Sequence, residues 1–389
     1  MSTTLIYNAI IYTEDTVLEQ GAILLKDGKI DAVSNLEISS KNAENMINAN
    51  GKMIIPGFID GHIHGAYGAD VMDGTYEALD IMATKLPQEG TTSFLATTIT
   101  QSPDQITKAL QNVANYLHRK KNTAEIIGVH LEGPFIAKEK AGAQPEEYIM
   151  PPDIDLFEAW QKEAQGLIKT VTFAPELDTT GEFIEYLNRQ SINMSAGHTN
   201  ASFSDMKNVT ELGVTQLTHL CNAMNGIHHR DIGAVGAAFM LDPLYAEIIA
   251  DKVHVSAEML KMAYQMIGSD RLLLITDAMR AKGLANGNYD LGGQRVTVDN
   301  NTAILEDGTL AGSTLKMIDA VKNMLELTNA DTKDIIKMTA VNPAKRMNIF
   351  SRKGSIKAGK DADILVVNNQ WEIAYTFCHG EIAYRGEIR

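Results

Sequence analysis

The central part of the chain alternates short apolar runs with longer segments in which apolar residues recur every three or four positions. Short apolar runs are typical of buried strands, and the three- or four-residue spacing is typical of amphipathic helices. We interpret eight runs as strands, at residues 57–64, 91–98, 125–135, 169–176, 192–199, 214–222, 245–251 and 271–278. Helical spacing lies between them, including residues 76–90, 102–121, 180–190, 203–213 and 256–268. Strands that alternate with helices build parallel βα units, and eight strands close a (β/α)8 barrel.

The two ends of the chain show a different pattern, in which short runs are separated by turn pairs such as Asp27-Gly28 and Asn50-Gly51. Such runs are typical of strands joined by hairpins. The sequence therefore predicts an α/β protein with a TIM-like (β/α)8 barrel at residues 56–350. A small β-sandwich domain is expected from residues 1–55 and 351–389. A Gly- and Asn-rich insertion with hairpin signals follows the eighth strand at residues 282–312.

Composition and charge narrow the classes of partner. The 389 residues carry a formal net charge of −15, which argues against nucleic acid or an anionic membrane as the binding partner. No apolar run is long enough to span a bilayer, and no basic segment precedes the first apolar residues. The two cysteines, Cys221 and Cys378, provide neither a disulfide framework nor a zinc module. We expect a cytoplasmic protein, in which any anionic substrate needs a locally basic pocket.

Residues suited to metal chemistry concentrate at the carboxyl ends of the predicted strands, where barrel active sites lie. His62 and His64 end the first strand, and alternation along a strand directs both side chains to the same side. Four further residues end strands three, five, six and eight: Glu132, His198, His219 and Asp277. Imidazoles with one or two carboxylates suit Zn²⁺ or Fe²⁺. Each residue alone fits a structural role equally well, but their coincidence at five strand ends predicts a site for a divalent metal.

Several motifs carry a resemblance to a known family. The segments PGFIDGHIHG, HLEGPF, THLCNAM and TDAM, with LAGS and a closing GSIKAGKDADILVV, resemble the amidohydrolase superfamily. Within it they are most similar to the N-acetylglucosamine-6-phosphate deacetylases, and the resemblance covers essentially the full chain. It implies metal-dependent hydrolysis of N-acetyl-D-glucosamine 6-phosphate to D-glucosamine 6-phosphate and acetate, in amino-sugar catabolism and cell-wall sugar recycling.

The resemblance also suggests how the metal is held. Many superfamily members place a carbamylated lysine after strand four, but strand four here ends in Ala174-Pro175-Glu176. Glu132 is therefore the better candidate for a carboxylate that bridges metals, and one or two ions per subunit, zinc or iron, are expected. A metal with an open coordination position makes an activated water available for attack on an amide carbonyl. Asp277 is the expected general base and then general acid, although TDAM could instead begin a helix with Asp277 as its N-cap.

Substrate contacts follow from the resemblance as well. The loop from Cys221 to Arg230 is polar and locally basic, which suits a sugar phosphate, although such a loop is also typical of a solvated surface. The resemblance implies that Asn222, Ala223 and Arg230 meet the phosphate, with Arg230 supplied in its own subunit or across a homodimer or homotetramer. Further pocket residues implied by it are His254, Leu310, Ala311, Gly312 and Ser313. Ala143 and Gln144 match a pocket stretch that can carry a histidine in relatives.

Two alternatives stay open at this point. The chain could be another amidohydrolase, such as a cyclic amidase or an N-acyl-D-amino-acid deacylase, or a non-catalytic relative that binds sugar phosphates. The basic NAMNGIHHR loop argues against the first, and the complete set of ligands with Asp277 argues against the second. Dinucleotide, P-loop and nucleophile-elbow motifs are not present in the sequence.

Overall fold

Both ends of the chain contribute to one eight-stranded sheet in the computed structural model, which describes residues 3–35, 38, 43–116 and 122–387. Its strands are β1 (Thr3–Tyr12), β2 (Val17–Lys26), β3 (Lys29–Ser34), β4 (Asn45–Asn48), β5 (Met53–Pro56), β19 (Ile364–Val367), β20 (Ile373–Cys378) and β21 (Glu381–Arg385). The antiparallel pairing of β5 with β19 joins the two ends of the chain. The division into domains at residues 55/56 and 350/351 stays a prediction.

Eight parallel strands form the barrel, and their spatial order follows the chain. They are β6 (Phe58–Ile63), β9 (Thr91–Thr98), β10 (Glu125–Glu132), β11 (Ile168–Phe173), β12 (Asn193–Ala196), β13 (Gln216–Leu217), β14 (Tyr245–Ile249) and β15 (Leu272–Ile275). Each overlaps one of the eight segments that the sequence predicts as strands, so the prediction of a (β/α)8 barrel is confirmed. The fifth and sixth strands are shorter than predicted, because the chain leaves the sheet just before His198 and His219.

Contacts between the first and last strands close the barrel. The Asp277 backbone N–H donates to the carbonyl of His62 at 2.8 Å, and Ile63 forms a parallel bridge with Ala278. Deeper in the barrel, the Thr276 hydroxyl donates to the buried carboxylate of Asp60 at 2.6 Å. This closure brings two residues 215 positions apart, His62 and Asp277, to adjacent places at the barrel mouth.

Helices cover the outside of the barrel. They are α1 (Tyr76–Lys85), α2 (Pro103–Tyr116), α3 (Ile154–Glu163), α4 (Glu182–Arg189), α5 (Phe203–Glu211), α6 (Gly233–Met240), α7 (Ala257–Ile267), α8 (Met317–Leu327), α9 (Thr332–Ile336) and α10 (Asn342–Arg346). α5 begins with a capping box in which Ser202 and Asp205 bond each other's backbone N–H groups. The end of the predicted helix 102–121, from residue 117, lies outside the described residues. In the described part of the chain no helix has both the length and the apolar character needed to cross a bilayer.

The insertion after the eighth strand forms a three-stranded antiparallel sheet of β16 (Gly287–Leu291), β17 (Gln294–Asp299) and β18 (Thr302–Ile304). The tight turn between β16 and β17 uses Gly292 and Gly293, both at positive φ, where glycine carries no steric cost. A second small hairpin, β7 (Gly65–Ala66) with β8 (Ala69–Asp70), follows the first barrel strand. Both hairpins lie at the carboxyl end of the barrel, beside the residues that end its strands.

A buried ionic cluster joins the base of the barrel to the terminal sheet. The Lys353 ammonium group contacts the carboxylates of Glu125 at 2.8 Å, of Asp361 at 3.4 Å and of Asp363, and only 3% of Lys353 is exposed. Burial alone would raise the pKa of Glu125. Hydrogen bonds from His379 and Arg352 and the charge of Lys353 outweigh it and hold the pKa well below its usual range. The cluster therefore stabilises the junction through charges of opposite sign.

Replacing Lys353 by methionine tests this junction, because the change leaves three carboxylates without their shared cation. We expect Lys353→Met to lower the free energy of unfolding by about 3–5 kcal/mol, measured by urea denaturation at pH 7. The control Lys357→Met removes an exposed lysine 2.8 Å from Glu14 and should leave the free energy of unfolding close to that of the wild type, because solvent screens an exposed ion pair.

The pH dependence of this difference has a definite sign. Because the folded-state pKa of Glu125 is lowered, its stabilisation is present above the ordinary value of 4.5 and is lost as the pH falls below it. The difference between the wild type and Lys353→Met should therefore narrow at acid pH. A constant difference would contradict an ionic role for the cluster.

Candidate metal centre and substrate pocket

The residues expected to form a metal site converge at the carboxyl mouth of the barrel. They are His62, His64, Glu132, His198, His219 and Asp277, and each is at least nine-tenths buried. His198, His219 and Asp277 have positive φ values of 48°, 31° and 47°, which residues other than glycine seldom adopt. These backbone turns direct the side chains inward from the strand ends. Strained backbone of this kind is typical of functional sites.

Three of these residues form one compact group. Glu132 Oε1 lies 3.2 Å from His198 Nε2 and 3.1 Å from His219 Nε2, and the two imidazole nitrogens are 3.1 Å apart. The three side chains come from strands three, five and six, as the strand-end pattern predicts. Their ligand atoms are close enough together to hold one metal ion.

A second group lies beside the first. His62 Nε2 and His64 Nε2 are 3.3 Å apart, and Asp277 Oδ1 lies 3.4 Å and 3.2 Å from them. Glu132 faces this group as well, with Oε1 3.5 Å from His62 Nε2 and Oε2 3.2 Å from His64 Nε2. The Glu132 carboxylate therefore lies between the two groups, in the position that a bridging ligand needs.

The hydrogen bonds behind the histidines indicate which nitrogen atoms are free to bind a metal. His198 Nδ1 is 2.8 Å from the carbonyl oxygen of Lys140, which can only accept, so Nδ1 carries the proton and Nε2 presents a lone pair. That lone pair is directed at a carboxylate oxygen and at another imidazole nitrogen. A cation between these atoms removes the repulsion, so this donor set fits a divalent metal ion.

The pKa shifts of the clustered residues also favour a bound cation. Burial alone would lower the pKa of His64, but hydrogen bonds to Asp277 and Glu132 raise it to about 9. Burial would raise the pKa of Asp277, but the charge of His62 and the hydrogen bond from His64 lower it to about 2. The pKa of Glu132 is likewise held well below its usual range despite burial. The carboxylates are therefore ionised and require positive charge, from protons or from a metal.

Gln144 holds Glu132 in place. Its side-chain Nε2 donates to Glu132 Oε2 at 2.8 Å, and its Oε1 accepts from the Thr100 backbone N–H at 2.7 Å. The sequence predicts only substrate contact for Gln144. The structure places it at the pocket wall and also behind the proposed metal ligand.

An open cavity of about 250 Å³ lies directly above the cluster. Of the predicted substrate residues, seven line it: Ala143, Gln144, Asn222, Ala223, His254, Leu310 and Gly312. The sequence analysis did not identify four others, which are Ile99, Gly142, Leu291 and Thr309. His254 Nδ1 pairs with Asp251 Oδ2 at 2.7 Å, so its second ring nitrogen is available to the pocket.

Three predicted substrate residues do not reach this cavity. Ala311 and Ser313 are buried behind its wall, where the Ser313 backbone N–H donates to the carbonyl of Asp277 at 2.8 Å. Arg230 is exposed, and its Nη1 is 2.9 Å from Nε2 of the neighbouring His229. Within the described residues, the lining of the cavity contains no lysine or arginine.

Two buried residues near the cluster were not identified from the sequence. Glu247, in β14, is 2% exposed, and its Oε2 lies 3.1 Å from His62 Nδ1. His130, in β10, is fully buried with Nε2 2.6 Å from the Thr172 hydroxyl. A lone acid in the apolar run YAEIIA and a histidine two residues before Glu132 were the available signals.

The sequence is similar to known hydrolases of one family. Residues 53–383 match the model of the amidohydrolase family. An N-acetylglucosamine-6-phosphate deacetylase of Bacillus subtilis is 46% identical over 383 residues, which cover 98% of this chain and 97% of the relative. An N-acetylgalactosamine-6-phosphate deacetylase of Escherichia coli O157:H7 is 31% identical, with 96% and 97% covered.

Solved structures show the same relationship. The N-acetylglucosamine-6-phosphate deacetylase of Thermotoga maritima has a TM-score of 0.89 at 34% identity, covering 98% of this chain and all of the other. A mutant of the corresponding Mycobacterium smegmatis enzyme, in complex with N-acetyl-D-glucosamine-6-phosphate, has a TM-score of 0.90 at 26% identity, with 98% and 100% covered. The chain therefore belongs to the amidohydrolase family and, within it, to the N-acetylglucosamine-6-phosphate deacetylases.

Proposed function

We propose that this protein hydrolyses N-acetyl-D-glucosamine 6-phosphate to D-glucosamine 6-phosphate and acetate. The observation that carries the proposal is the buried cluster of four histidines, Glu132 and Asp277 beneath a small-molecule cavity. Relatives that match almost the full length of the chain have this activity in their names. The associated pathway is amino-sugar catabolism and cell-wall sugar recycling. The cytoplasmic location expected from the sequence stays a prediction.

The six clustered residues provide positions for two metal ions. Glu132, His198 and His219 would hold one divalent ion, and His62, His64 and Asp277 with the shared Glu132 offer a place for a second. Imidazole and carboxylate ligands suit zinc or iron. When bound, such an ion supplies Lewis acidity, which activates water and polarises an amide carbonyl.

Asp277 is the proposed proton carrier. Its lowered pKa keeps the carboxylate ionised at neutral pH, so one of its oxygens can accept a proton from the attacking water. As the amide C–N bond breaks, the same carboxylic acid returns that proton to the departing amine nitrogen. His254, whose Nδ1 pairs with Asp251, would direct the substrate toward the reacting atoms through its second ring nitrogen.

The phosphate requires a cation, and none of the described residues that line the cavity of one chain is a lysine or an arginine. Asn222 and Ala223 line the wall at the start of the loop that continues to Arg230, yet Arg230 itself is exposed to solvent. We propose that Arg230 reaches the phosphate in the site of a second copy, within a homodimer or homotetramer.

Acetate release from phosphorylated sugars tests the proposal. We expect release from N-acetyl-D-glucosamine 6-phosphate, and the Escherichia coli relative makes N-acetyl-D-galactosamine 6-phosphate the epimer to compare. Binding without release would instead favour a non-catalytic sugar-phosphate protein.

Asp277→Asn removes the proton acceptor with little change in size. We expect kcat to fall by about 10²–10⁴-fold while the ion held by Glu132, His198 and His219 stays bound. Steady-state acetate release and metal analysis measure the two effects. Retained turnover would exclude Asp277 from proton transfer.

Arg230→Ala tests the phosphate contact. We expect KM for the phosphorylated sugar to rise at least about 10-fold, because a charge-assisted hydrogen bond is lost. The rate on unphosphorylated N-acetylglucosamine should stay the same. Lys207→Ala, an exposed cation on α5, is the control. Equal effects on both sugars would contradict the assigned contact.

His219→Ala tests metal binding, since it removes one of three ligands from the compact group. We expect the variant to lose at least one equivalent of divalent metal after dialysis, as measured by elemental analysis. The exposed His228→Ala variant should retain the wild-type content. Unchanged metal in His219→Ala would show that the ion lies elsewhere.

A further inference from the structure

A chain of buried hydrogen bonds runs from the metal cluster down the inside of the barrel. Glu247 Oε2 lies 3.1 Å from His62 Nδ1, and Glu247 Oε1 accepts from Gln216 Nε2 at 2.8 Å. Gln216 Oε1 in turn accepts from Arg346 Nε at 3.3 Å. Arg346 lies in α10, at the end of the barrel opposite the substrate cavity. This series of hydrogen bonds therefore connects the two ends of the barrel through polar side chains alone.

The direction of every hydrogen bond in this chain is fixed by Arg346. A guanidinium group can only donate, so Gln216 must direct its oxygen toward Arg346. Asn193 strengthens this orientation, because its Nδ2 donates to the same Gln216 oxygen at 3.0 Å and its Oδ1 accepts from Arg346. The Gln216 amide NH2 is then left to face Glu247.

Glu247 consequently serves only as an acceptor. Its Oε1 receives the Gln216 amide, and its Oε2 also lies 3.4 Å from the His219 backbone N–H. His62 Nδ1 must therefore donate to Glu247, which makes His62 Nε2 the ring nitrogen that can offer a lone pair to an ion. That nitrogen lies 3.3–3.5 Å from His64 Nε2, Asp277 Oδ1 and Glu132 Oε1.

Glu247 is buried and depends on its hydrogen-bond partners. The carboxylate is 2% exposed, and among the described residues it contacts no lysine or arginine. A buried carboxyl group must be satisfied by hydrogen bonds, and the His62 side chain is the partner through which Glu247 reaches the metal cluster.

We propose that Glu247 is a positioning residue that fixes the His62 tautomer, so that Nε2 binds the ion shared with His64 and Asp277. Gln216 and Arg346 set the acceptor role of Glu247 from the opposite end of the barrel. The inference rests on the proposed metal-dependent function and concerns the second of its two ion positions.

Replacing Glu247 by glutamine reverses the direction of the hydrogen bond between residue 247 and His62 Nδ1. Because Gln216 is held with its NH2 toward position 247, the new side chain must present its oxygen there and its NH2 to His62 Nδ1. His62 would then carry its proton on Nε2 and lose its ligand lone pair. Loss of such a partner typically weakens metal binding about 10- to 100-fold.

The experiment titrates metal-free full-length protein with Co²⁺ and follows the visible absorption and the bound metal. We expect two ions in the wild type. In Glu247→Gln, the first should bind as in the wild type and the second about 10- to 100-fold more weakly. Ser195→Ala, which removes a buried hydroxyl 2.6 Å from the Thr218 hydroxyl in the same barrel interior, should match the wild type.

A second variant applies if Glu247→Gln does not fold. Gln216→Leu leaves the carboxylate in place but removes the group that orients it, and should weaken the second ion several-fold. A wild type that binds one ion, or unchanged second-ion affinity in the folded variant, would overturn the inference. Acetate release by the wild type reports separately on the proposed function, so the failure of one is distinguishable from that of the other.

Discussion

The site depends on the placement of one buried carboxylate, Glu132, among four imidazoles. Its oxygens lie between 3.1 and 3.5 Å from the Nε2 atoms of His62, His64, His198 and His219. In a poorly polarisable interior such a charge must be balanced, and the imidazole lone pairs around it must be separated. A divalent cation would satisfy both requirements at once, so these residues suit a metal centre better than an ordinary polar core.

The barrel backbone makes this placement possible. Closure through the first and last strands puts His62 beside Asp277, and positive φ angles at three strand ends turn the side chains inward. Such conformations cost of order 1–3 kcal/mol each and persist because the surrounding structure determines them. Rigidity at the mouth therefore derives from the closed sheet beneath it, and the ionic cluster around Lys353 fixes the base of that sheet to the terminal strands.

One chain contains all the residues proposed for catalysis but not all those needed to bind the phosphate. The reactive half, with Glu132 and Asp277, is assembled within one chain and supported from behind by Gln144 and Glu247. The phosphate-binding half contains no cationic side chain among the described residues that line the cavity. In the proposed assignment, chemistry would take place at rigid strand ends and an exposed loop would bind the phosphate, a division typical of barrel enzymes.

The sequence by itself determined the eight strands and the residues that end them, because the apolar runs and the alternation along a strand are local properties. It also determined that His62 and His64 face one side, and the family followed from the same motifs. Only the tertiary structure decided which side chains lie behind the proposed metal ligands and which stay outside the cavity. Glu247 lies 185 residues from His62, and Arg230 is exposed only because of how its loop folds. Those contacts depend on distances between remote segments, which no local pattern encodes.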